Sequence, residues 1–357
     1  MNTQPPIATD SPRPHTFVIA EAGVNHNGQI ALAEKLVDAA AHSGADAVKF
    51  QTFKAAKLVT AAAKKAEYQV TNTKVAGTQY EMLKALELSN EHHHHLRRYA
   101  TEQGIMFLSS PFDIDSMGLL ESLDMKIGKI PSGELTNLRF LQAMTRHFPE
   151  LIMSTGMASL AEVLAALQVL TDAGASRDNI TILHCNTEYP TPMEDVNLRA
   201  MQTLRDATGC RVGYSDHSLG IEVPIAATAL GAVVIEKHIT LDRDLPGPDH
   251  RCSLEPDELV RMVRGIRNIE QALGSTAKEP SPSESKNIEI ARRSLHAATP
   301  LPAGHVVREE DLIARRPATG LSPMLLERVI GQTLKRAVDA QQPLTDDHVD
   351  DEPHEAE

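Results

Sequence analysis

The chain has 357 residues, a formal charge of −13, 41% hydrophobic and 3% aromatic residues, three cysteines and no tryptophan. One core rarely covers such a length, so a large domain with a smaller companion is expected. The acidic balance and scarce aromatics argue against a nucleic-acid partner, and no apolar run approaches the roughly 18 residues of a membrane span.

The opening Met1-Asn-Thr-Gln-Pro-Pro has neither a basic cluster nor an apolar run, so residues 1–15 read as a flexible lead-in to a cytoplasmic protein. From there β-like runs alternate with helix-like ones: Phe17–Asn25, Ala47–Phe53, Ile105–Phe112, Lys126–Gly133, Glu150–Met157, Ile180–Asn186, Arg211–His217 and Ala232–Thr240. Between them lie amphipathic segments such as Ala31–Ser43, Ser159–Ala173 and Leu219–Ala229, with Gly44, Gly174 and Gly231 at their ends, and Pro256–Leu273 supplies a last helix. Eight strand–helix units close a (β/α)₈ TIM barrel, here placed over residues 16–274. The connection from Lys54 to Gly104 is longer than a plain barrel needs and holds a helix over Asn90–Gln103. Its run His92–His95 points in several directions and reads as a solvated helix start. Residues 275–286 are Pro/Ser-rich and read as a linker, 287–349 as a small β-rich domain, and 350–357 as a disordered acidic tail. Cys185, Cys210 and Cys252 are too irregularly spaced for a disulfide framework and read as small buried side chains.

Barrel chemistry sits at the C-terminal strand ends. Those ends carry Glu21, Lys49 with Gln51, Ser110, Lys129 with Ser132 and Glu134, Ser154, Asn186 with Thr187, Ser215 with His217, and His238. A period of two puts Ser215 with His217 and Glu236 with His238 on one face, and Val233 with Ile235 on the other. Two lysines and several hydroxyls on one mouth describe an anion site, with phosphate as the first choice. His217 and His238 lie about one strand-plus-helix unit apart, which puts both imidazoles on one rim. Two imidazoles with open positions suit an Mn²⁺- or Mg²⁺-like Lewis acid better than a closed structural zinc. Glu21 and Glu134 are candidate proton-handling carboxylates, and Asp249 is a candidate hydroxyl binder. A metal-dependent aldolase or hydrolase, or a non-catalytic binding protein, are the competing readings. The first has little need of two lysines and a ring of hydroxyls, and the second would show ligand affinity without phosphate release.

The strings Ala20-Glu-Ala-Gly-Val-Asn-His-Asn-Gly28, Val48-Lys-Phe-Gln-Thr52, Lys129-Ile-Pro-Ser-Gly-Glu134, Ser154-Thr-Gly-Met157, His184-Cys-Asn-Thr-Glu-Tyr-Pro-Thr-Pro192, Tyr214-Ser-Asp-His-Ser-Leu-Gly220, Glu236-Lys-His-Ile-Thr-Leu-Asp242 and Gly247-Pro-Asp-His250 resemble those of the sialic acid synthases. That family includes N-acetylneuraminate, legionaminate and pseudaminate synthases. The resemblance implies a TIM barrel joined to a C-terminal antifreeze-like (SAF) domain, similar here over Arg293 to Met324, in a domain-swapped homodimer. It implies condensation of phosphoenolpyruvate with an open-chain N-acylated mannosamine-type sugar and release of phosphate by C–O cleavage. Lys49, Lys129, Ser110, Ser132, Ser154, Thr187 and Ser215 would then hold phosphoenolpyruvate, with Asn186 as an alternative to Thr187. His217 and His238 would hold Mn²⁺ or Mg²⁺. Glu21, Gln51, Glu134, Tyr189, Asp249 and, from the second subunit, Arg316 would contact the sugar. Glu21 is the expected catalytic carboxylate. The sugar is either N-acetylmannosamine or 2,4-diacetamido-2,4,6-trideoxymannose.

Overall fold

The computed structural model describes residues 15–73 and 76–349. The expected lead-in lies outside these residues except for His15, and so does the acidic tail. The described chain forms two compact units that divide at Gly274 and Ser275.

The first unit holds eight parallel strands: β1 (Phe17–Gly23), β2 (Ala47–Thr52), β3 (Met106–Pro111), β4 (Ile127–Ile130), β5 (Glu150–Ser154), β6 (Ile180–Cys185), β7 (Arg211–Asp216) and β8 (Val234–His238). Their order is β3-β2-β1-β8-β7-β6-β5-β4, and β3 lies against β4, so the sheet comes round into a nearly closed barrel. Helices cover it because their apolar residues recur at helical spacing. In Ile30–Ser43 the buried side chains are Ala33, Leu36, Val37, Ala40 and Ser43, one stripe facing the sheet. Gly44 in the left-handed region ends that helix.

Several strands stop earlier than their apolar runs suggest, for local reasons. β4 ends at Ile130 because Pro131 has no N–H to extend a ladder, and Ser132–Glu134 bends into a 3₁₀ turn. β1 is irregular between Glu21 and Gly23, where φ reaches +52°.

The long connection after β2 contains helices Ala55–Leu58, Glu67–Thr73, Gln79–Leu86 and Asn90–Glu102. Here the expectation of a solvated histidine run is corrected: His93 is buried. Its Nδ1 lies 2.8 Å from the Ser89 carbonyl and its Nε2 2.8 Å from Thr52 Oγ1, which in turn contacts Ser109 Oγ at 2.6 Å. Leu96 and Ala100 follow His93 at i+3 and i+7, so the helical period carries this one imidazole inward with them.

His26, after β1, is also fully buried. Its Nδ1 accepts from Gly28 N at 3.0 Å, its Nε2 has no partner, and burial with His93 and His92 nearby lowers its pKa to about 4. An unfolded histidine titrates near 6.5, so below that pH the unfolded chain binds a proton that the folded chain refuses. Stability is therefore expected to fall as pH drops from about 6.5 to 4, by on the order of 3 kcal/mol from this group. Denaturant midpoints at pH 7 and 4.5 check this; an unchanged slope in His26→Asn would remove His26 as the cause.

The second unit begins earlier in regular structure than expected. Pro282–Ala291 is a helix with Pro282 in its first turn and a capping box between Ser281 and Glu284, so half of the Pro/Ser-rich stretch starts a helix. Beyond it β9 (Ser294–Ala297) and β10 (Leu312–Arg315) pair antiparallel. Leu295, Ala297, Leu301, Val307, Leu312, Leu321, Val329, Leu334, Val338, Leu344 and Val349 form a core of its own. No helix among the described residues is long and apolar enough to cross a membrane.

Candidate active site

Strand register assembles the site. Glu21 on β1 stands opposite Lys49 on β2 and opposite His238 on β8, while Ser215 on β7 stands opposite Glu236 and Gln51 on β2 opposite Ser110. Partners in a parallel ladder point the same way, so these side chains converge inside the barrel mouth. A cavity of about 500 Å³ opens there, lined by Glu21, Lys49, Gln51, Ser110, Lys129, Ser132, Ser154, Thr187, Tyr189, Ser215, His217, His238 and Asp249 among others. Two expected residues are not brought in: Glu134 accepts from Asn137 Nδ2 at 2.7 Å, and the Asn186 side chain accepts from Glu188 N at 2.7 Å. Arg316 is an exposed residue of the second unit. Thr187, not Asn186, lines the cavity.

The floor is a buried charge cluster. Lys49 Nζ lies 2.6 Å from Glu21 Oε2 and donates to Ser110 Oγ at 3.0 Å, and Lys129 Nζ donates to Ser154 Oγ at 2.7 Å. Between the lysines sits Glu236, 3.6 Å from each and accepting from Ser215 Oγ at 3.0 Å. Although burial opposes its ionisation, Lys129 and Lys49 hold Glu236 down at about 2, so it stays a carboxylate. Glu21 goes the other way. Burial outweighs the attraction of Lys49, and the Glu236 charge adds to it, so the Glu21 carboxyl rises to about 7. Lys129 is pushed down, first by burial and then by Lys49, while Glu21 and Glu236 hold Lys49 protonated despite burial. Two lysines thus stand beside one fixed carboxylate, Glu236, and one carboxyl, Glu21, that titrates near neutrality.

The imidazoles stand beside this cluster, His238 across the ladder from Glu21. Ring centroids of His217 and His238 are 5.3 Å apart, and Tyr189 stands 4.1 Å from His217 and 5.7 Å from His238. Burial lowers His217 to about 4 and, with His217 beside it, puts His238 well below the ordinary range, so both rings are neutral at pH 7. His217 Nδ1 donates to the Asn186 carbonyl, which leaves Nε2 as the lone-pair nitrogen, while His238 Nδ1 is buried without a partner. Neutral rings, one fixed by a backbone carbonyl and the other with an orphaned nitrogen, are fit to hold a divalent cation. Among the described residues no group of three or more His, Cys, Asp or Glu side chains is placed to hold a metal ion.

Two glycines keep the mouth open. A Cβ on Gly23 would lie 3.3 Å from Glu21 Oε1 and 3.4 Å from both Gln51 Nε2 and His238 Cε1; one on Gly156 would lie 2.6 Å from Thr187 and 2.9 Å from Ser132 Oγ. Two side chains outside the sequence expectation belong to the site. Glu236 shares parity with His238, a signal legible in the strand. Tyr68, stacked on Tyr189 at 5.0 Å, comes from an irregular connection with no such pattern. Asp249 is raised to about 7 by burial alone.

Residues 36–278 match the NeuB family model and residues 292–350 the SAF domain. The chain belongs to the NeuB family. Like its members, it is an enzyme that condenses phosphoenolpyruvate with an N-acylated aminosugar and releases phosphate. An N,N'-diacetyllegionaminic acid synthase of Campylobacter jejuni is 51% identical over 89% of this chain and 95% of its own. One of the same name from Legionella pneumophila is 48% identical over 94% of each chain. The crystal structure of an N-acetylneuraminic acid synthetase from Leptospira borgpetersenii, 34% identical, superposes with a TM-score of 0.68 over 77% of this chain and 90% of that one. The expected TIM barrel with an SAF domain is thus the fold of this NeuB-family chain.

Proposed function

We propose that the acceptor is open-chain 2,4-diacetamido-2,4,6-trideoxymannose and the product N,N'-diacetyllegionaminate. The observation that carries a phosphoenolpyruvate-dependent synthesis is the pair of buried lysines, each bonded to a strand-end serine and separated by Glu236. Support for the sugar comes from the names and near-full coverage of the Campylobacter and Legionella relatives.

In this reading Lys49, Lys129, Ser110, Ser132, Ser154, Thr187 and Ser215 hold phosphoenolpyruvate, with ammoniums against its anionic groups and hydroxyls on its oxygens. His217 and His238 would hold Mn²⁺ or Mg²⁺, which when bound polarises the sugar's aldehyde oxygen. Gln51, Tyr189 and Asp249 orient the sugar. C3 of phosphoenolpyruvate bonds to the aldehyde carbon, and positive charge develops at C2. Glu236, a fixed carboxylate between the lysines, and Glu21 face that charge. Glu21, titrating near neutrality, takes the proton of the water that adds at C2 and returns it to the oxygen of the former aldehyde, whose π bond broke as the carbon–carbon bond formed. The bond from C2 to the phosphate oxygen then breaks.

Incubation with phosphoenolpyruvate, Mn²⁺ and each sugar in turn, with phosphate release and product mass measured, tests the assignment. The trideoxy sugar is expected to give the highest kcat/KM; preference for N-acetylmannosamine would overturn it. The same proposal places the reaction in the cytoplasm, which holds phosphoenolpyruvate, and includes a domain-swapped homodimer in which Arg316 of the partner subunit contacts the sugar. Arg316→Ala is then expected to raise the KM of the sugar about tenfold and that of phosphoenolpyruvate little. An unchanged sugar KM would remove Arg316 from the site.

A further inference from the structure

The charged strand ends occupy only part of the cavity. The segments that follow β1, β2 and β3 contribute a wall of another chemistry: Val24, Leu58, Met82, Leu83, Leu86 and Phe112. With Phe53 these side chains pack as a hydrophobic cluster separate from the barrel core, and Phe53 meets Phe112 edge to face at 6.2 Å. Met82 and Leu83 are half-buried, each touching the cluster and the cavity. The nearby amides already bond to one another. Gln69 Oε1 accepts from Ala66 N at 3.0 Å and from Gln79 Nε2 at 3.4 Å, and Gln69 Nε2 donates to the Tyr68 hydroxyl at 3.3 Å. A hydroxyl pressed against this wall loses water and gains few partners, whereas a methyl group is at home there.

Every group suited to the reacting carbons stands at the strand ends: the lysines, the two glutamates and the imidazoles. A sugar with C1 among them turns its distal carbons toward the connecting segments. We propose that Met82, Leu83 and Leu86, backed by Val24, Leu58 and Phe112, form the subsite for C6 of the acceptor and select a 6-deoxy sugar over its 6-hydroxy counterpart. The inference rests on the synthase reading above and adds the residues that set its specificity.

The test compares N-acetylmannosamine with 2-acetamido-2,6-dideoxymannose, which differ only in the C6 oxygen, by phosphate release in wild type, Met82→Gln and Leu83→Asn. Wild type is expected to favour the 6-deoxy sugar in kcat/KM by at least about tenfold, the range a single group in an apolar pocket supplies. Each variant is expected to bring that ratio within about threefold of one, with the KM of phosphoenolpyruvate unchanged. A wild-type ratio near one overturns the subsite. So do variants that keep the ratio, or that depress both sugars equally, since a wall that only supports the fold would not alter selectivity. Two variants on successive residues guard against one that fails to fold. If wild type releases no phosphate with these two sugars or with the diacetamido sugar, the synthase reading itself has failed, before any variant is compared.

Discussion

His217→Ala and His238→Ala are each expected to lower kcat/KM by about a thousandfold or more with Mn²⁺ present, while the melting temperature stays within a few degrees. Polarising a carbonyl is worth several kilocalories per mole of transition-state charge stabilisation, and about 4 kcal/mol corresponds to three decades in rate. Neither imidazole carries a charge that the fold depends on, because burial keeps both neutral. His217 bonds to one backbone carbonyl, and His238 Nδ1 bonds to nothing. Removing either ring therefore costs the fold at most one hydrogen bond and the packing on Tyr189, while under the proposed assignment it removes a metal ligand. Two measurements separate the possibilities. Mn²⁺ binding to the protein alone, followed by water proton relaxation, should be present in wild type and lost in both variants. Full activity in either variant after chelation would end the metal assignment.

How much of this was legible depended on whether a period constrained the residue. Lys49, Gln51, Ser215, Glu236 and His238 lie on strands whose alternation fixes the face, His217 follows directly on β7 in the same alternation, and a barrel directs chemistry to one end, so their convergence follows from spacing. Glu134 and Asn186 fall just past their strands. There a 3₁₀ turn carries Glu134 to Asn137, while Asn186 falls between Cys185 and Thr187, which line the cavity, and its side chain turns to Glu188 N. Tyr68 and most of the apolar wall, Leu58, Met82, Leu83 and Leu86, belong to the connection after β2, built from short helices whose mutual placement is set by packing against the mouth rather than by a repeat. His93 was readable in principle, because Leu96 and Ala100 share its stripe, but a run of identical residues hides which member faces in. The Ser281–Glu284 capping box was likewise present in a stretch whose proline and serine content reads as linker.

The same alternation that sends Glu236 and His238 into the cavity sends Lys237 to the other face, where it meets Asp216 from β7. Both side chains are fully buried, and the pair stands directly across the ladder between the strands that carry His217 and His238. Asp216 Oδ1 also accepts from Ser218 N at 3.0 Å and Ser218 Oγ at 2.8 Å, and Lys237 Nζ also donates to the Ser218 carbonyl. Lys237→Ala would leave the Asp216 carboxylate without its cation, away from water. Breaking a buried pair this way costs about 3–5 kcal/mol, since the surviving charge keeps its desolvation penalty and loses its compensation. At about 2–4 °C per kcal/mol for a domain of this size, a fall in melting temperature of roughly 6–20 °C is expected. The double variant Lys237→Met with Asp216→Leu removes both charges and should regain at least half of that loss, because two apolar groups carry no such penalty. Thermal melts of the three proteins decide it: a single variant within about 2 °C of wild type would show that water reaches the site and that the pair is not the clamp between these strands. If the clamp is real, the single variant should also weaken Mn²⁺ binding, because the two imidazoles would no longer be held at one separation.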